Sequence, residues 1–393
     1  MPMAKNHIRI ALLGVGNRAG KYLSCLPDGV EVAALVDPDP LRLSQVGARY
    51  PGCLCFRDAD AFFAARCQVD GVIIAAPDRL HFSLTMQAVR AGYPVLLEKP
   101  AALTEHDYRD MLEASRAAGV PVGLCLPMRY HPCFRRVREI VASGLLGPLE
   151  SLDHTEFVGP DRMAHTVVRG GWSRKQDAGP IFLSKCCHDA DFLLSLTGGT
   201  VLSLTSSGSL TRFRASSAPE GAADRCIDCP LKASCPYSAV DLYQVRREWI
   251  AGFNVPDGET LDQVISAELQ AGRYGRCVYH CDNDVNDYQT VVATLEHGVT
   301  LKITLDGISL REGRLLTVRG RDGVLTMDGP ILTIASADGT RVEDFSAFER
   351  IPLHAGADRL IVEDFIASLR DGRPMTATLE ASLEAHRLCF RAE

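Results

Sequence analysis

Residues 183–191 read LSKCCHDAD and place a lysine, two adjacent cysteines, a histidine and two aspartates within nine positions. Three chemistries are compatible with such a set: metal binding, a redox-active thiol pair, or the acid–base groups of an enzyme. The adjacent Cys186 and Cys187 point in different directions from a helix and suit no ordinary metal geometry, so we expect them to pack in a core. Lys185 and His188, about one helical turn apart, are then the candidate acid–base groups.

A second cysteine cluster lies in CIDCPLKASCPY, where Cys226, Cys229 and Cys235 follow a C-x2-C-x5-C spacing. The first pair matches the spacing of structural zinc sites, in which two thiolates reach one tetrahedral ion. The later segment RCVYHCDND offers three candidates for a fourth ligand: Cys277, His280 and Cys281. We favour Cys281. An iron–sulfur cluster and simple reduced thiols are the alternatives to a structural zinc.

A glycine turn in GVGNRAG, with Gly14-x-Gly16-x-x-Ala19, follows an apolar run directly. The two glycines permit a tight turn and let main-chain N–H groups approach a pyrophosphate, and the third position, which serves close helix–strand packing, tolerates alanine. Asp37 ends the next apolar run, where a carboxylate accepts hydrogen bonds from ribose hydroxyls and repels a 2′-phosphate. The pattern predicts NAD as the cofactor.

These residues need a scaffold, and five continuous apolar runs in the first third supply one: IRIALLG, VEVAALV, VDGVIIAA, YPVLLE and VPVGLCL. Continuous apolar runs are expected of strands buried on both faces. Helical patterns alternate with them, including one at 105–118, for which Thr104 is the predicted N-cap and Gly119 the C-terminal stop. This alternation predicts an α/β fold with a parallel, doubly wound Rossmann sheet.

The alternation ends after about residue 126. A strand is predicted at 149–158, a helix carries LSKCCHDAD, and short segments between 289 and 327 are typical of an antiparallel meander. Residues 212–287, rich in Cys, Pro and Gly, predict a long irregular insertion. Two domains are expected: an NAD-binding Rossmann domain at 1–126 and a substrate-binding and oligomerisation α+β domain at 127–393.

Further motifs point to one family: AAPDRLH (75–81), LLEKP (96–100), MRYHP (128–132) and KCCHDAD (185–191). With the glycine turn, this set resembles the glucose–fructose oxidoreductase / inositol dehydrogenase / MocA family, and the late segment ADRLIVEDFIASLRDGRP also fits. The resemblance implies a Rossmann domain followed by a domain with an open, mostly antiparallel sheet, often used for oligomerisation. It also implies that the C-terminal helices can pack back on the first domain and that the protein is a homodimer or homotetramer.

The resemblance also implies roles for single residues. Lys99 would reach the substrate hydroxyl, and His188 would face the nicotinamide from the second domain. Arg129 and Tyr130 would approach the substrate together with Lys185. The expected cofactor-binding residues are Gly14, Gly16, Asn17, Arg18, Asp37, Pro77, Asp78, His81, Glu98 and Lys99.

One position departs from the family pattern. Many dehydrogenases of the family carry an aspartate four residues before the histidine, and this chain has Ser184 there. The usual Asp–His relay is therefore not expected, and Lys185 or Asp189 is the candidate for part of the proton handling.

Three functions follow as hypotheses. The first is NAD-dependent oxidation of a ring hydroxyl carbon of a sugar, cyclitol or glycoside, with Lys99 and His188 handling the proton. The second is an oxidoreductive glycosidase that recycles bound NAD through transient oxidation at C3, elimination across C1–C2 and addition of water. The third is a non-catalytic NAD-binding regulator, against which the retention of Lys99 and His188 argues.

The bulk properties restrict the partners. A formal net charge of −7 and a pI near 5.9 give no reason to expect nucleic acid or an anionic membrane surface. The N-terminal segment does not have the pattern of a secretory signal, and no apolar run is long enough to cross a bilayer. Fourteen cysteines without a leader favour reduced thiols or metal ligands over a disulfide framework. A cytoplasmic location and a small carbohydrate substrate are expected.

Overall fold

The first part of the chain alternates strands and helices, as its apolar runs predict. The computed structural model describes residues 7–393. In chain order the first elements are β1 Ile8–Leu13, α1 Asn17–Leu23, β2 Val30–Val36, α2 Pro40–Gly47, β3 Leu54–Phe56, α3 Ala59–Ala64, β4 Gly71–Ile74, α4 His81–Arg90, β5 Val95–Leu97, α5 Glu105–Ala118 and β6 Val122–Leu124. Their strands form one parallel sheet in the order β3-β2-β1-β4-β5-β6. The direction of winding changes between β1 and β4, where sheets of this type bind ligands at the carboxyl ends of the strands.

A second, mostly antiparallel sheet follows. The next elements are α6 Pro132–Ala142, β7 Leu149–Phe157, α7 Pro160–Arg162, α8 Lys175–Ala178, α9 Ile181–Thr197, β8 Val201–Ser209, α10 Leu261–Gln270, β9 Tyr288–Leu295, β10 Thr300–Asp306, β11 Gly313–Gly320, β12 Gly323–Asp328, β13 Ile331–Ser336, β14 Gly339–Asp344, α11 Ser346–Glu349, α12 Pro352–Ala355, α13 Ala357–Asp371 and α14 Leu383–Arg391. The strands pair in the order β14-β13-β12-β11-β7-β10-β9-β8. Every pair is antiparallel except β7–β10, which is parallel. The predicted fold class is confirmed.

The late helix α13 returns to the first sheet. Ile361 and Phe365 of α13 are buried together with Ile8, Ile10 and Leu12 of β1 in one apolar cluster. Alternating residues of β1 face opposite sides of the sheet, so α13 covers one side of the strand that leads into the glycine turn. The cofactor end of the first domain is thereby fixed by a helix that lies far away in sequence.

Helix α9 carries LSKCCHDAD, and it is buried on most of its surface. It begins after Pro180 and ends at Gly198, whose φ of 64° gives the left-handed conformation that commonly stops a helix. Cys186 and Cys187 are fully buried in the core between α9, the second sheet and α14. Their predicted packing role is confirmed.

The insertion is more ordered than its composition indicates. Within residues 212–287 the structure contains short helical turns and α10, which begins with a capping box between Thr260 and Gln263. A bridge between Arg225 and Arg276 pairs the start of the cysteine segment with the segment after α10.

We predict that Gly14→Ala destabilises the first domain. Gly14 has a φ of +86°, and a Cβ there would lie 2.7 Å from the carbonyl oxygen of Ala75, so the free energy of unfolding should fall by more than about 1 kcal/mol. Gly20 in α1 is the matched control, since a Cβ there meets nothing within 4 Å and alanine should stabilise the helix by about 0.5–1 kcal/mol. Chemical denaturation measures both, and equal effects of the two variants would contradict the packing described here.

Candidate active site

The candidate catalytic residues meet in a cavity of about 300 Å³ at the carboxyl edge of the first sheet. The loops after β4 and β5 form one wall, and α9 of the second domain forms the other. Cations outnumber carboxylates among the charged lining residues, which are Arg18, Lys21, Asp78, Glu98, Lys99, Arg162 and Lys185. A positive surface of this kind favours an anionic group such as a dinucleotide phosphate. A larger cavity of about 590 Å³ borders α3 and α4 and contains none of the predicted site residues.

The glycine turn fits a dinucleotide. Space is open where a side chain at Gly16 would lie, and the main-chain amide of Gly14 is bound to the carbonyl of Val36 at 2.7 Å, which fixes the turn beside β2. The carboxylate of Asp37 accepts from the amides of Val15 at 2.9 Å and Asp39 at 3.0 Å. A carboxylate has about four lone-pair positions, so Asp37 keeps acceptor capacity for ribose hydroxyls.

Glu98 is held by an internal network. It accepts hydrogen bonds from the Arg18 guanidinium and from the Tyr22 hydroxyl, and Arg18 also donates two bonds, of 2.9 and 2.7 Å, to Asp358 of α13. Burial alone would raise the pKa of Glu98, but the charges of Arg18 and Lys99, together with the hydrogen bonds from Tyr22 and Arg18, outweigh it and lower that pKa. Glu98 is therefore ionised, and Arg18 links the turn after β5 to α13.

Lys99 spans the two domains. Its Nζ donates a 2.7 Å hydrogen bond to the carbonyl oxygen of Ser184 in α9 and lies 4.3 Å from the centre of the Trp172 ring. The hydroxyl of Ser184 donates to the carbonyl of Ala178 and is turned away from Lys99. Ser184 stands where many members of the family have an aspartate, and it contacts Lys99 through its main-chain oxygen instead of its side chain.

His188 lies in the same cavity, one helical turn further along α9. Among residues 7–393 its Nδ1 has no hydrogen-bond partner. Burial, and after it the positive charge of Lys99, lowers the pKa of His188 well below its usual value of 6.5. The ring is consequently neutral near pH 7 and available as a proton acceptor.

A buried charge network lies beneath Lys185. Lys185 forms a 2.6 Å ion pair with Glu156 of β7, and Arg314 of β11 lies 2.8 Å from Glu156 and 2.7 Å from Asp189. Asp189 also contacts His154 at 2.8 Å. The ligand atoms of His154, Glu156 and Asp189 lie within 4.8 Å of one another, but Lys185 and Arg314 already balance both carboxylates. We assign the cluster to positioning α9 and not to a metal.

A second cavity of about 390 Å³ continues from the first into the second domain. His188 and Lys185 line both cavities. The charges of the second cavity balance, since three carboxylates face three cations: Glu156, Glu312, Glu349, Arg162, Lys185 and Arg314. Such a lining suits a polar, uncharged molecule better than a strongly anionic one.

Arg129 and Tyr130 do not line either cavity, which corrects the expectation that they approach the substrate. Arg129 forms two 2.7 Å bonds to Asp191, and its side chain is 9% exposed. The Tyr130 hydroxyl donates to Asp364 at 2.7 Å. Both side chains fasten the segment after β6 to α9 and α13.

His81 also lies elsewhere than predicted. It is fully buried, with its ring nitrogens 2.7 Å from the carbonyl of Pro100 and 3.0 Å from that of Ala76. It therefore supports the loop of the EKP motif from behind and does not line the cofactor cavity. Asn17 and Pro77 are exposed outside the cavity lining, whereas Asp78 is in it.

The predicted metal ligands are only partly brought together. Cys226, Cys229 and Cys235 line one cavity of about 270 Å³ in the insertion, far in sequence from the catalytic residues. Cys281 does not line it, and its sulfur donates to the carbonyl of Cys277 at 3.2 Å. Of the candidates for a fourth ligand, Cys277 lines the cavity with the other three cysteines.

Several lining residues are not singled out by the motifs: Glu156, Arg162, Trp172, Arg314 and His354. One signal was available for Glu156. His154 and Glu156 alternate with polar exposed residues in a predicted strand, so two ionisable groups on the buried face of β7 mark a functional or ion-paired position. For Arg162 and Arg314 the sequence carries no comparable signal.

Residues 8–125 match the family model GFO_IDH_MocA, described as "Oxidoreductase family, NAD-binding Rossmann fold". This part of the chain is similar to that family. The resemblance seen in the motifs is confirmed, and with it NAD as the cofactor of the predicted oxidoreductase domain. YteT of Bacillus subtilis is 24% identical over 302 residues, which are 75% of this chain and 69% of YteT. The D-glucoside 3-dehydrogenase of Escherichia coli (strain K12) is 30% identical over 153 residues, 37% of this chain and 42% of that protein.

The whole chain resembles solved structures in fold. An oxidoreductase from Agrobacterium radiobacter, solved in complex with NAD+, L-tartaric acid and magnesium, has a TM-score of 0.71 at 16% identity, covering 98% of this chain and 96% of that one. At this identity the likeness concerns the fold. Among residues 7–393, none of the helices combines the length and hydrophobicity of a membrane span.

We predict that Tyr130→Phe affects stability and not substrate binding. The variant removes the donor to Asp364, so the free energy of unfolding should fall by about 1–3 kcal/mol. KM should change by less than about twofold, because the hydroxyl lies outside both cavities. Denaturation and steady-state kinetics measure the two effects. A tenfold higher KM would show that Tyr130 contacts the substrate after all.

The low pKa of His188 predicts the acid side of the pH–rate profile. If the neutral imidazole accepts the substrate proton, kcat/KM should hold its plateau down to a pH well below 6.5 and fall only when the ring becomes protonated. His188→Asn should remove this acid limb along with most of the rate. An acid limb centred at pH 6.5 or above in the wild type would contradict the buried environment described here.

Proposed function

We propose that the protein oxidises a ring hydroxyl carbon of a sugar, cyclitol or glycoside with NAD as the acceptor. The observation that carries the proposal is the convergence of Lys99 and His188, from different domains, on one cavity beside the glycine turn. Fold alone would not support an activity, because related folds host many functions. The paired acid–base groups are the feature that a purely regulatory NAD-binding protein does not need.

NAD bound at the glycine turn supplies the hydride acceptor. In this proposal Lys99 holds the oxygen of the reacting hydroxyl with its Nζ, while the neutral ring of His188 accepts the hydroxyl proton. The carbon loses its hydrogen as hydride as the C–O bond becomes a carbonyl. Trp172 contacts Lys99 and keeps water from one side of its ammonium group. The pair Lys185–Glu156 holds the helix that carries His188.

The second cavity supports an uncharged polyhydroxyl substrate. Its three carboxylates and three cations offer acceptors and donors for several hydroxyl groups without a net field. The names of relatives agree in class, since D-glucoside 3-dehydrogenase and inositol 2-dehydrogenase both describe oxidation of a ring carbon in a polyol.

We predict that Lys99→Ala lowers kcat by at least about a hundredfold, as expected for loss of an acid–base group. The affinity for NAD should change little, because the glycine turn is intact. Lys302→Ala is the matched control, since this half-buried lysine of β10 pairs, within residues 7–393, with Asp153 alone. Reduction of NAD by a panel of sugars, cyclitols and glycosides measures the rate. Unchanged turnover in Lys99→Ala would refute the assignment.

A second candidate, an oxidoreductive glycosidase that recycles NAD, is favoured by one observation. Lys185 and Glu156, which position α9, also line the cavity that holds His188 and would supply the further acid and base of this route. Oxidation at C3 would acidify the C2 hydrogen, a base would remove that proton, and the bond from C1 to the aglycone oxygen would break. Water would then add across C1–C2, and the hydride would return to C3, so that the net reaction is hydrolysis.

Deuterium exchange separates the two candidates. With a glycoside in deuterated water, a recycling glycosidase should release the aglycone without net reduction of NAD and should place deuterium at C2. A simple dehydrogenase should accumulate NADH and leave C2 unlabelled. Aglycone release without exchange at C2 would exclude the elimination route.

A further inference from the structure

The cysteine cavity in the insertion serves no step of the proposed reaction. It measures about 270 Å³ and is lined by four cysteines from two separate segments: Cys226, Cys229, Cys235 and Cys277. All four sulfurs belong to free cysteines, none of which is in a disulfide. Four thiols around one small cavity are the ligand set of a structural tetrahedral metal site.

The backbone brings the two segments together. The antiparallel bridge between Arg225 and Arg276 pairs the two segments, and the amide of Cys277 donates to the carbonyl of Asp224 at 2.8 Å. The sulfur of Cys226 lies 3.9 Å from the carbonyl oxygen of Arg276, the residue before Cys277. The amide of Cys229 donates to the carbonyl of Cys226 at 3.3 Å and closes the turn of the C-x2-C pair. The ligand positions are therefore set by main-chain contacts.

We propose that Cys226, Cys229, Cys235 and Cys277 bind one zinc ion that holds the insertion in shape. Among the described residues no three of these sulfurs lie within 4.8 Å of one another, whereas Zn–S bonds of about 2.3 Å require sulfurs about 4 Å apart. The proposal therefore requires the cysteine side chains to rotate about χ1 into the shared cavity when the ion binds.

Cys281 lies outside the lining of this cavity. Its sulfur donates to the main-chain carbonyl of Cys277, four residues back, at 3.2 Å. Cys277 and Cys281 are four residues apart and equally plausible from spacing, but of the two only Cys277 lines the cavity. The two residues thus form a natural pair of test and control.

Arg169 supplies the charge that such a site needs. Four thiolates and one divalent ion leave a net charge of −2, which must be compensated where water is excluded. Arg169 is buried and lies with its Nη2 3.3 Å from the sulfur of Cys226. Among residues 7–393 its Nη1 has no hydrogen-bond partner, which leaves a donor free for a second thiolate.

The insertion also touches the cofactor domain, so the metal has a consequence for NAD. Asn254 donates to Asp39, the N-cap of α2, at 2.8 Å, and the ring of Trp249 lies 5.0 Å from the guanidinium of Arg162, which lines the catalytic cavity. Loss of the metal should loosen these contacts and weaken NAD binding. This consequence rests on NAD binding at the glycine turn.

The metal is tested by elemental analysis of the full chain purified without added metal. We expect one zinc per chain in the wild type and in Cys281→Ser, and less than about a fifth of this in Cys277→Ser. Zinc lost from Cys281→Ser and kept in Cys277→Ser would overturn the ligand assignment. If the protein contained iron and showed a visible absorption band, the site would hold an iron–sulfur cluster and the zinc assignment would be wrong. A wild-type protein without metal would overturn the proposal.

If a cysteine variant fails to fold, a second measurement on the wild type tests the same proposal. A mercurial that titrates thiols should release the zinc in step with the reaction of four cysteines, as read by a zinc-binding dye. Release independent of thiol modification would contradict cysteine ligation. Titration with NAD before and after zinc removal tests the consequence separately: unchanged NAD affinity would refute the link between metal and cofactor and leave the metal site standing.

Discussion

The hydrogen bond from Lys99 Nζ to the carbonyl oxygen of Ser184 is the contact on which the candidate active site depends. Lys99 follows β5 of the first sheet, whereas Ser184 lies in α9 of the second domain. Because His188 is one turn further along α9, the bond fixes the distance between the two candidate acid–base groups. It also accounts for the family's missing aspartate, since a main-chain acceptor contacts the lysine from that position whatever the side chain is.

Ion pairs hold each side of this contact. On the first domain Arg18 bridges Glu98 and Asp358, and on the second Lys185 and Arg314 bind the carboxylates of Glu156 and Asp189. Buried pairs of this kind add little net stability, but removal of one partner costs about 3–5 kcal/mol because the other charge is left unpaired. We therefore assign these ion pairs to holding Lys99 and His188 in position. The neutral state of His188 follows from the same surroundings, through burial and the charge of Lys99.

Local patterns were sufficient for much of the fold. The five apolar runs predicted five of the parallel strands, and Thr104 caps α5 through the amide of Asp107 as its sequence position indicates. The strand β3 was missed because it is short and mostly exposed at the sheet edge, so it has no continuous apolar run. The parallel pairing of β7 with β10 has no local signal at all, since pairing partners are set by the whole sheet.

The position of a site residue was predictable where a motif fixes its backbone. It was not predictable where a partner far away in sequence determines the direction of the side chain. Lys99 and His188 follow from motifs, but the partner of Arg129 lies 62 residues away and that of Tyr130 lies 234 residues away. The choice between Cys277 and Cys281 likewise depends on a main-chain contact that spacing does not encode. The oligomeric state and the cytoplasmic location stay predictions.

A structure of the protein with NAD and a poorly turned-over glycoside tests the central claim most directly. The account predicts that one ring hydroxyl lies within hydrogen-bond distance of both Lys99 Nζ and the His188 ring, with the sugar extending toward Glu312 and Arg314. A sugar bound with no hydroxyl on Lys99, or bound outside the cavity between the two domains, would contradict it.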